Sequence, residues 1–431
     1  MPRALSSPRT LSLREAIDVA LLQNPDVVTA RAAVPVALAA RGVAATYPWN
    51  PNVQVGVFPY ARDEAGNLLA VKNQVAVMQT LELAHQPQYR QQAAMAEWQQ
   101  ERSKITQAEW TAVTNAMRSY FTALYKKSLL DLARESAELG DSTAGVVNRR
   151  FAAGIASPAE RITANVAARR AKSRAELAEA DYQTALQSLR IVLNAAPEES
   201  IVPSCNLQEY RWLPIMETMG GSPNCLDDPT ATADATDIPL PDVANRPDVE
   251  AARHGASAAE ANLDLAKANR MPNLATGPSY ERDEAGTVFI GLQAQIDLPI
   301  WNTGAPLVHQ RAEELQQQLI TWRQTRLRAA CEADAAAKRY QVARGLWSEH
   351  YTAKNSRDDE FRLITDAFEH GQASIMDVLA TRDNLIQERQ ANLDLLGQVS
   401  QAAVDVVSAL AIDPETLIEA PSGTLGQTSK Q

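Results

Sequence analysis

The heptapeptides YARDEAG (Tyr60–Gly66) and YERDEAG (Tyr280–Gly286) write one polar turn twice in a single chain. The likeness extends outward from them. NPDV at Asn24–Val27 answers to RPDV at Arg246–Val249, Pro51-Asn52 to Pro272-Asn273, and FAAGIAS at Phe151–Ser157 to FEHGQAS at Phe368–Ser374. The offset drifts from 222 through 221 and 220 to 217, as duplicated halves with small insertions would. Four anchors in the same order mark two tandem structural repeats, about 10–196 and 243–413. A Pro-, Asp- and Thr-rich segment, 197–242, reads as an irregular connector, and 414–431 as a flexible tail.

Each half carries the same succession of elements. In the first, Ser12-x-x-Glu15 is a capping box ahead of a helical pattern that runs to Asn24. Pro25 opens a second helix, reaching about Tyr47 and expected to bend at Pro35. The period then changes. Val53, Val55 and Val57 share a face; past the turn so do Leu69, Val71, Val75, Val77 and Leu81, with Lys72 and Gln74 opposite. In the second half Val288, Ile290, Leu292, Ala294, Ile296 and Leu298 alternate with Thr287, Gly291, Gln293, Gln295 and Asp297. Such alternation predicts strands at about 50–60, 68–83, 272–281 and 287–299, so each DEAG is a β-hairpin tip.

A long helical region follows each hairpin, with no proline between Pro87 and Pro158 or between Pro306 and Pro414. Its one break is the F-x-x-G-x-A-S motif. Gly154 and Gly371 suit the left-handed position after a helix end. Ser157-Pro158-Ala159-Glu160 reads as N-cap, first-turn proline and capping-box acid, and Ser374-Ile375-Met376-Asp377 repeats the pattern with Asp. Antiparallel helix pairs are therefore predicted at about 88–153 with 158–194, and about 304–370 with 375–412. The first arm alone would be roughly 90–100 Å long. Ile375, Leu379, Ile386, Leu393, Leu396, Ala403, Val407 and Leu410 keep coiled-coil spacing.

Composition narrows the function classes. Of 431 residues 45% are hydrophobic but only 5% aromatic, a profile of long solvent-facing helices rather than of an aromatic-lined pocket. The net charge of −11, with no Lys/Arg cluster standing out, argues against a nucleic-acid partner. No uninterrupted apolar run of about 18 residues exists, so no transmembrane helix is expected. There is no phosphate-cradling glycine loop, CxxC, HExxH or GxSxG, and the five histidines (85, 254, 309, 350, 370) make no ligand-spaced pair. No enzyme activity, metal or cofactor is expected. Cys331 reads as a small core residue. Cys205 and Cys225 share the connector, either bridged across a loop of about 20 residues in an oxidising compartment or as two unrelated thiols.

Two hairpins supply four strands, too few to close a barrel, and an unpaired edge invites association. Polar faces carrying Lys72, Gln293 and Asp297 do not suit a dry sandwich. Several copies, each lending four strands to one closed barrel with an apolar exterior, resolve both difficulties, because helices and closed barrels are the structures that span lipid. The aromatics fall in two belts: Tyr47, Trp49 and Trp301 at the helix ends of the strands, Phe58, Tyr60, Tyr280 and Phe289 near the tips.

Duplicated halves ordered helix, hairpin, long helix, F-x-x-G-x-x-S turn, long helix resemble the TolC-like outer-membrane factor family. LSLREAIDVALLQNPDV and IDLPIWNTGAP look like its cation-efflux, CzcC-like branch, and the resemblance covers about Leu11 to Ile412. It implies a mostly α fold with a membrane β-barrel contribution. The expected assembly is a homotrimer with a twelve-stranded barrel in the outer membrane of a Gram-negative bacterium and an α-helical barrel in the periplasm. A periplasmic adaptor and an inner-membrane pump would feed it. The turns around Phe151, Gly154 and Ser157, and around Phe368, Gly371 and Ser374, would form the inner tip that docks the adaptor. Acids six residues after each glycine, Glu160 and Asp377, match a family feature. Three copies of Asp377 would ring the aperture and favour cations, while both acids also serve as capping partners. Gln372 stands where some members carry an arginine, so a salt-bridge latch does not carry over. Export needs a leader, expected upstream of Met1 or already removed. The implied function is a passive efflux duct; the alternative is a soluble periplasmic coiled-coil scaffold or pump adaptor, which has no need of strands of membrane length.

Overall fold

The computed structural model describes residues 9–59, 62, 66, 68, 71–196, 199, 201–215, 243–352 and 375–420. In chain order the elements are β1 (Arg9–Leu11), α1 (Leu13–Gln23), α2 (Pro25–Ala45), β2 (Asn52–Phe58), β3 (Lys72–Leu81), α3 (Gln86–Ala152), α4 (Pro158–Leu193), β4 (Ile201–Pro203), β5 (Arg211–Trp212), α5 (Pro247–Ala268), β6 (Leu274–Arg282), β7 (Val288–Ile296), α6 (Ala305–Thr352), α7 (Ile375–Leu410) and β8 (Ile418–Glu419). They group into two compact units, each drawn from both halves of the sequence. The helical unit comprises Met1–Thr29, Gln107–Arg246 and Arg328–Gln431; the sheet unit comprises Ala30–Thr106 and Pro247–Leu327.

In the sheet unit the two hairpins join edge to edge as one antiparallel sheet of order β2-β3-β6-β7. Register places Val55, Val75, Tyr280 and Ile290 in one row across it. The ladder between β3 and β6 skips Val77 and Met78, which face Gly277 and Pro278. Pro278 has no N–H to lend, and a Cβ on Gly277 would lie 1.8 Å from the Val77 carbonyl oxygen. Gly277 is thus what allows the two hairpins to touch. Below the sheet Arg90 donates to both carboxylate oxygens of Glu82, at 3.0 and 3.3 Å, and to the Ala44 carbonyl. Gln86 reaches Asn273 at 3.1 Å, so α3 starts clamped between both hairpins.

In the helical unit the Ser12–Glu15 capping box forms, and Ser12's backbone and side-chain groups hold the Glu15 carboxyl below its ordinary value. Met117, Tyr120, Phe121 and Leu124 of α3 and Leu189 and Leu193 of α4 are fully buried, and Ala123 and Leu130 of α3 share an apolar cluster with Tyr182, Ala185 and Leu186 of α4. Phe121 meets Tyr210 edge-on, with ring centroids 5.3 Å apart. The Tyr210 hydroxyl donates to Tyr120, which donates to the Leu11 carbonyl at 3.2 Å. Burial pushes both hydroxyls up, and that of Tyr340 to about 12, so all three stay neutral donors in any physiological solution. Around this core β1 pairs with β4 in parallel and β5 with β8 in antiparallel.

Four expectations are corrected. Cys331, read as a small core residue, is exposed. The connector is ordered where it is described, because Ile201, Cys205, Leu207, Tyr210 and Trp212 are buried. The tail begins ordered too: Asp413 caps a 3-10 turn at Pro414–Thr416, and Leu417 and Ile418 bury against the unit. By length and composition alone α2 would pass as a membrane span, with a mean hydropathy of 1.4 in a window only 11% buried. Asp26, Arg31 and Arg41 interrupt the run, so no uninterrupted stretch shows it; alanine and valine carry the average. Pro35 lies within that helix.

The duplication reappears in bonding. Pro25 and Pro247 each open a helix, with an acid next. The residue before each ties back to the end of a long helix: Asn24 donates to the Val192 carbonyl and Arg246 to the Ala409 carbonyl. Val192 and Ala409 are 217 apart, the offset of the two F-x-x-G motifs. Asn194 and Ala411, again 217 apart, are both left-handed, with φ of 51° and 52°.

Candidate functional site

Two places carry the functional reading: the sheet surface and the helix turns. The sheet is amphipathic in an unusual sense. Val53, Val55, Val57, Val75, Val77, Tyr280, Val288, Ile290 and Leu292 all point from one face and are all exposed, Ile290 by 83% and Leu292 by 84%. The other face carries Gln54, Lys72, Gln74, Ser279, Glu281, Gln293 and Gln295 in register. There Lys72 and Glu281 pair at 2.9 Å, while Ala76 is only 1% exposed. A sheet in water buries its apolar face; this one shows it, as a lipid-facing wall would. Its polar face is half-buried at Lys72, Gln74, Ser279, Glu281 and Gln293 and exposed at Gln54 and Gln295. Tyr47, Trp49 and Trp301 at one end and Phe58, Tyr280 and Phe289 at the other are exposed. Tyr60 lies outside the described residues. β2 and β7 each pair on one side only, leaving two open edges among the described residues.

The α3–α4 turn is built as its residue types dictate. Gly154 is left-handed at φ +76°. Its N–H donates to the Phe151 carbonyl at 2.9 Å, and that of Ile155 to Arg150 at 2.8 Å, the paired bonds of a Schellman end. Ser157 then starts α4: its hydroxyl accepts from the Glu160 N–H at 3.2 Å, and the Glu160 carboxylate accepts from the Ser157 N–H at 2.6 Å. These bonds, backbone first, hold the Glu160 carboxyl below its ordinary value. The Arg161 guanidinium stacks 4.2 Å from the Phe151 ring, tying the two arms across the turn. Glu160 is therefore a capping partner. Asp377 is exposed in the first turn of α7. Phe368, Gly371, Gln372 and Ser374 lie outside the described residues, as does Cys225. Cys205 is buried, its sulfur 3.5 Å from the Ser204 hydroxyl.

Above the turn, Ala144 and Val147 of α3, Ala164 and Ala168 of α4, and Val378 and Leu379 of α7 share one apolar cluster. Gly140 lets the arms close, since a Cβ there would sit 3.3 Å from Ala168 Cα. One residue here escaped the sequence reading. Arg382 of α7 is 4% exposed; its Nη2 bonds Asp383 at 3.0 Å, while Nε and Nη1 have no hydrogen-bond partner. The signal was the seven-residue gap between Leu379 and Ile386, where a seam position is filled by a cation. Also missed was a basic cluster on α4. Arg169, Arg170 and Arg174, with Val166 and Ser173, line a shallow groove of about 380 Å³. The chain-wide charge of −11 concealed it.

No group of three or more His, Cys, Asp or Glu side chains among the described residues is arranged to hold a metal. The chain also matches known proteins. The family model for outer membrane efflux proteins matches residues 16–195 and 243–411, once per half. The cobalt-zinc-cadmium resistance protein CzcC of Cupriavidus metallidurans is 25% identical over 295 residues, 67% of this chain and 65% of that protein. The cation efflux system protein CusC of Escherichia coli is 25% identical over 300 residues, 66% of this chain and 60% of that protein. The matches thus span just under two thirds of these curated relatives. A crystal structure of CusC superposes with a TM-score of 0.68 at 18% identity, covering 95% of this chain and 96% of that one, which establishes the shared fold. With its two matched halves, apolar-faced sheet and paired long helices, the chain belongs to the outer membrane efflux protein family.

Proposed function

We propose that this protein is the outer-membrane channel of a tripartite efflux or export system, a passive duct formed by three copies. Each copy contributes its four strands to a twelve-stranded barrel, and its long helices to a periplasmic tunnel. The observation that carries the reading is the sheet: four strands with an exposed apolar face and two unpaired edges, long enough to cross lipid once neighbouring copies complete the ladder. The α3–α4 pair ends in the Gly154 turn, where an adaptor would dock, and the sequence around Gly371 repeats its motif. An inner-membrane pump supplies the energy, and this chain performs no chemistry.

The relatives named for cobalt, zinc, cadmium and cation efflux support metal cations as the cargo class. Three copies of exposed Asp377 near the tip would lower the energy of a cation entering the tunnel. Deleting the gene and measuring tolerance to divalent metals and to hydrophobic drugs tests this cargo. Lost metal tolerance is expected; a collapse of drug tolerance alone contradicts it. Membrane fractionation tests the channel itself, which should sediment with the outer membrane and run as a heat-modifiable trimer.

A further inference from the structure

One position is handled in opposite ways by the two repeats. Asn165 of α4 and Arg382 of α7 are 217 apart, the offset of the two F-x-x-G motifs. Asn165 and Asn148 exchange reciprocal hydrogen bonds at 3.2 and 3.3 Å, each amide nitrogen donating to the other's oxygen, so this rung between α3 and α4 is satisfied. Arg382 is 4% exposed. Its Nη2 donates to the Asp383 carboxylate at 3.0 Å, while Nε and Nη1 have no hydrogen-bond partner.

The burial follows from the stripe on which Arg382 lies. Three and four residues before it, Leu379 and Val378 share an apolar cluster with Ala144 and Val147 of α3 and Ala164 and Ala168 of α4. One turn further along α7 the same groove receives the guanidinium. A Cβ on Gly140 would stand 3.5 Å from Arg382 Nη1, 3.3 Å from Ala168 Cα and 3.6 Å from Ala171 Cβ. Gly140, Ala168 and Ala171 carry no side-chain acceptor. A guanidinium also keeps its charge throughout the physiological range, so Arg382 gains no relief by losing a proton. Asp383, its side chain 54% exposed, keeps its own hydration and supplies a single bond. A buried donor without a partner costs more than a made hydrogen bond gains, and an apolar side chain of similar length in the groove carries no such cost.

We infer that Arg382 is a release point built into the helical unit. The cation loads the contact of α7 with the α3–α4 groove, and the load is relieved when this end of α7 leaves the groove and water reaches Nε and Nη1. The first repeat has no such device at the matching position, because Asn165 is satisfied where it stands. Two repeats alike in backbone thereby differ in their readiness to move. The inference concerns helices within one copy and holds whether or not three copies form the duct proposed above.

Methionine substitutions at the two matched positions test it. Val378 is 3% exposed, so Val378→Cys reports departures of α7 from the groove. It is introduced into chains lacking the native cysteines, and the detergent-solubilised protein is treated with a water-soluble maleimide. Adding Arg382→Met should slow the labelling about tenfold and raise the thermal midpoint. Adding Asn165→Met should do neither, since it breaks a satisfied pair. An arginine that holds the seam together gives the opposite sign: Arg382→Met then labels faster, melts earlier or fails to fold, and any of these overturns the inference. An unchanged labelling rate overturns it too, as does an equal rise in midpoint for Asn165→Met, which would trace the gain to added apolar surface alone. The mass of the solubilised protein tests the duct separately: a monomer with slowed labelling contradicts the duct and leaves the inference standing.

Discussion

The two halves of this chain build one skeleton with different materials, and the differences locate what each half does. Gly56 and Gly277 are 221 apart and occupy matching strands, β2 and β6. Around Gly56 the nearest atom to an added Cβ is 3.6 Å away, whereas at Gly277 the Val77 carbonyl oxygen is 1.8 Å away. The first strand lies at an edge within the chain, while the second sits in the middle of the sheet, pressed against the other hairpin. Asn24 and Arg246 make the same tie to the ends of α4 and α7 with an amide and a guanidinium. The lesson is that the repeat fixes backbone roles, and side chains diverge according to what each half meets.

The largest effect that could break this comparison is at that glycine pair. Gly277→Ala should cost about 3 kcal/mol or more, because backbone must move. Gly56→Ala should cost less than about 0.5 kcal/mol. Thermal midpoints of the two purified variants check the contrast, and equal losses would mean the hairpins do not meet at Gly277. Next comes the Arg90–Glu82 pair, in which Glu82's side chain is only 5% exposed. By the 219-residue offset that relates Pro87 to Pro306, the second half has Trp301 and His309 at these positions. Arg90→Ala strands a buried carboxylate and should cost about 3 kcal/mol, seen as lost assembly; His309→Ala should change little.

At the turn, Ser157→Ala should cost about 1 kcal/mol through loss of the cap. The same cap predicts a pH dependence. Glu160's carboxyl is held below its ordinary value of 4.5 by the Ser157 bonds. Its contribution is therefore complete above pH 4.5 and is lost as pH falls through the lower folded value. Amide exchange in the first turn of α4 followed downward from neutral pH should show fraying only in acid, a pH dependence that Glu160→Gln should abolish. The smallest effect sharpens the comparison. Asn194 and Ala411 are both left-handed, a conformation asparagine tolerates and alanine resists. Ala411→Asn should stabilise by about 0.5–1 kcal/mol and Asn194→Ala should destabilise by a similar amount, both read from denaturant midpoints.

Much of this was legible in the sequence, since periodicity and turn chemistry are local. The valine alternation in β2 and β3, the Ile290–Leu292 face and the Phe151–Glu160 turn each follow from a few adjacent residues. What could not be read depends on neighbours distant in the chain. Which glycine is pinched follows from β3 meeting β6, and nothing near Gly277 announces that contact. Arg382 hides because an arginine at a seam position reads as a break in an apolar stripe. The α4 cations vanish in a chain-wide charge sum. The two compact units cut across both repeats, each drawing segments distant in the chain into one fold.

The account depends most on copies completing each other's sheet. A panel of cysteine pairs, one on β2 and one on β7 centred on Val55 and Leu292, in chains lacking the native cysteines, tests this by disulfide trapping in outer-membrane fractions. The prediction is a covalent ladder on denaturing gels that stops at three chains. Bridges formed within single chains, or a water-soluble monomer with no ladder, would contradict it.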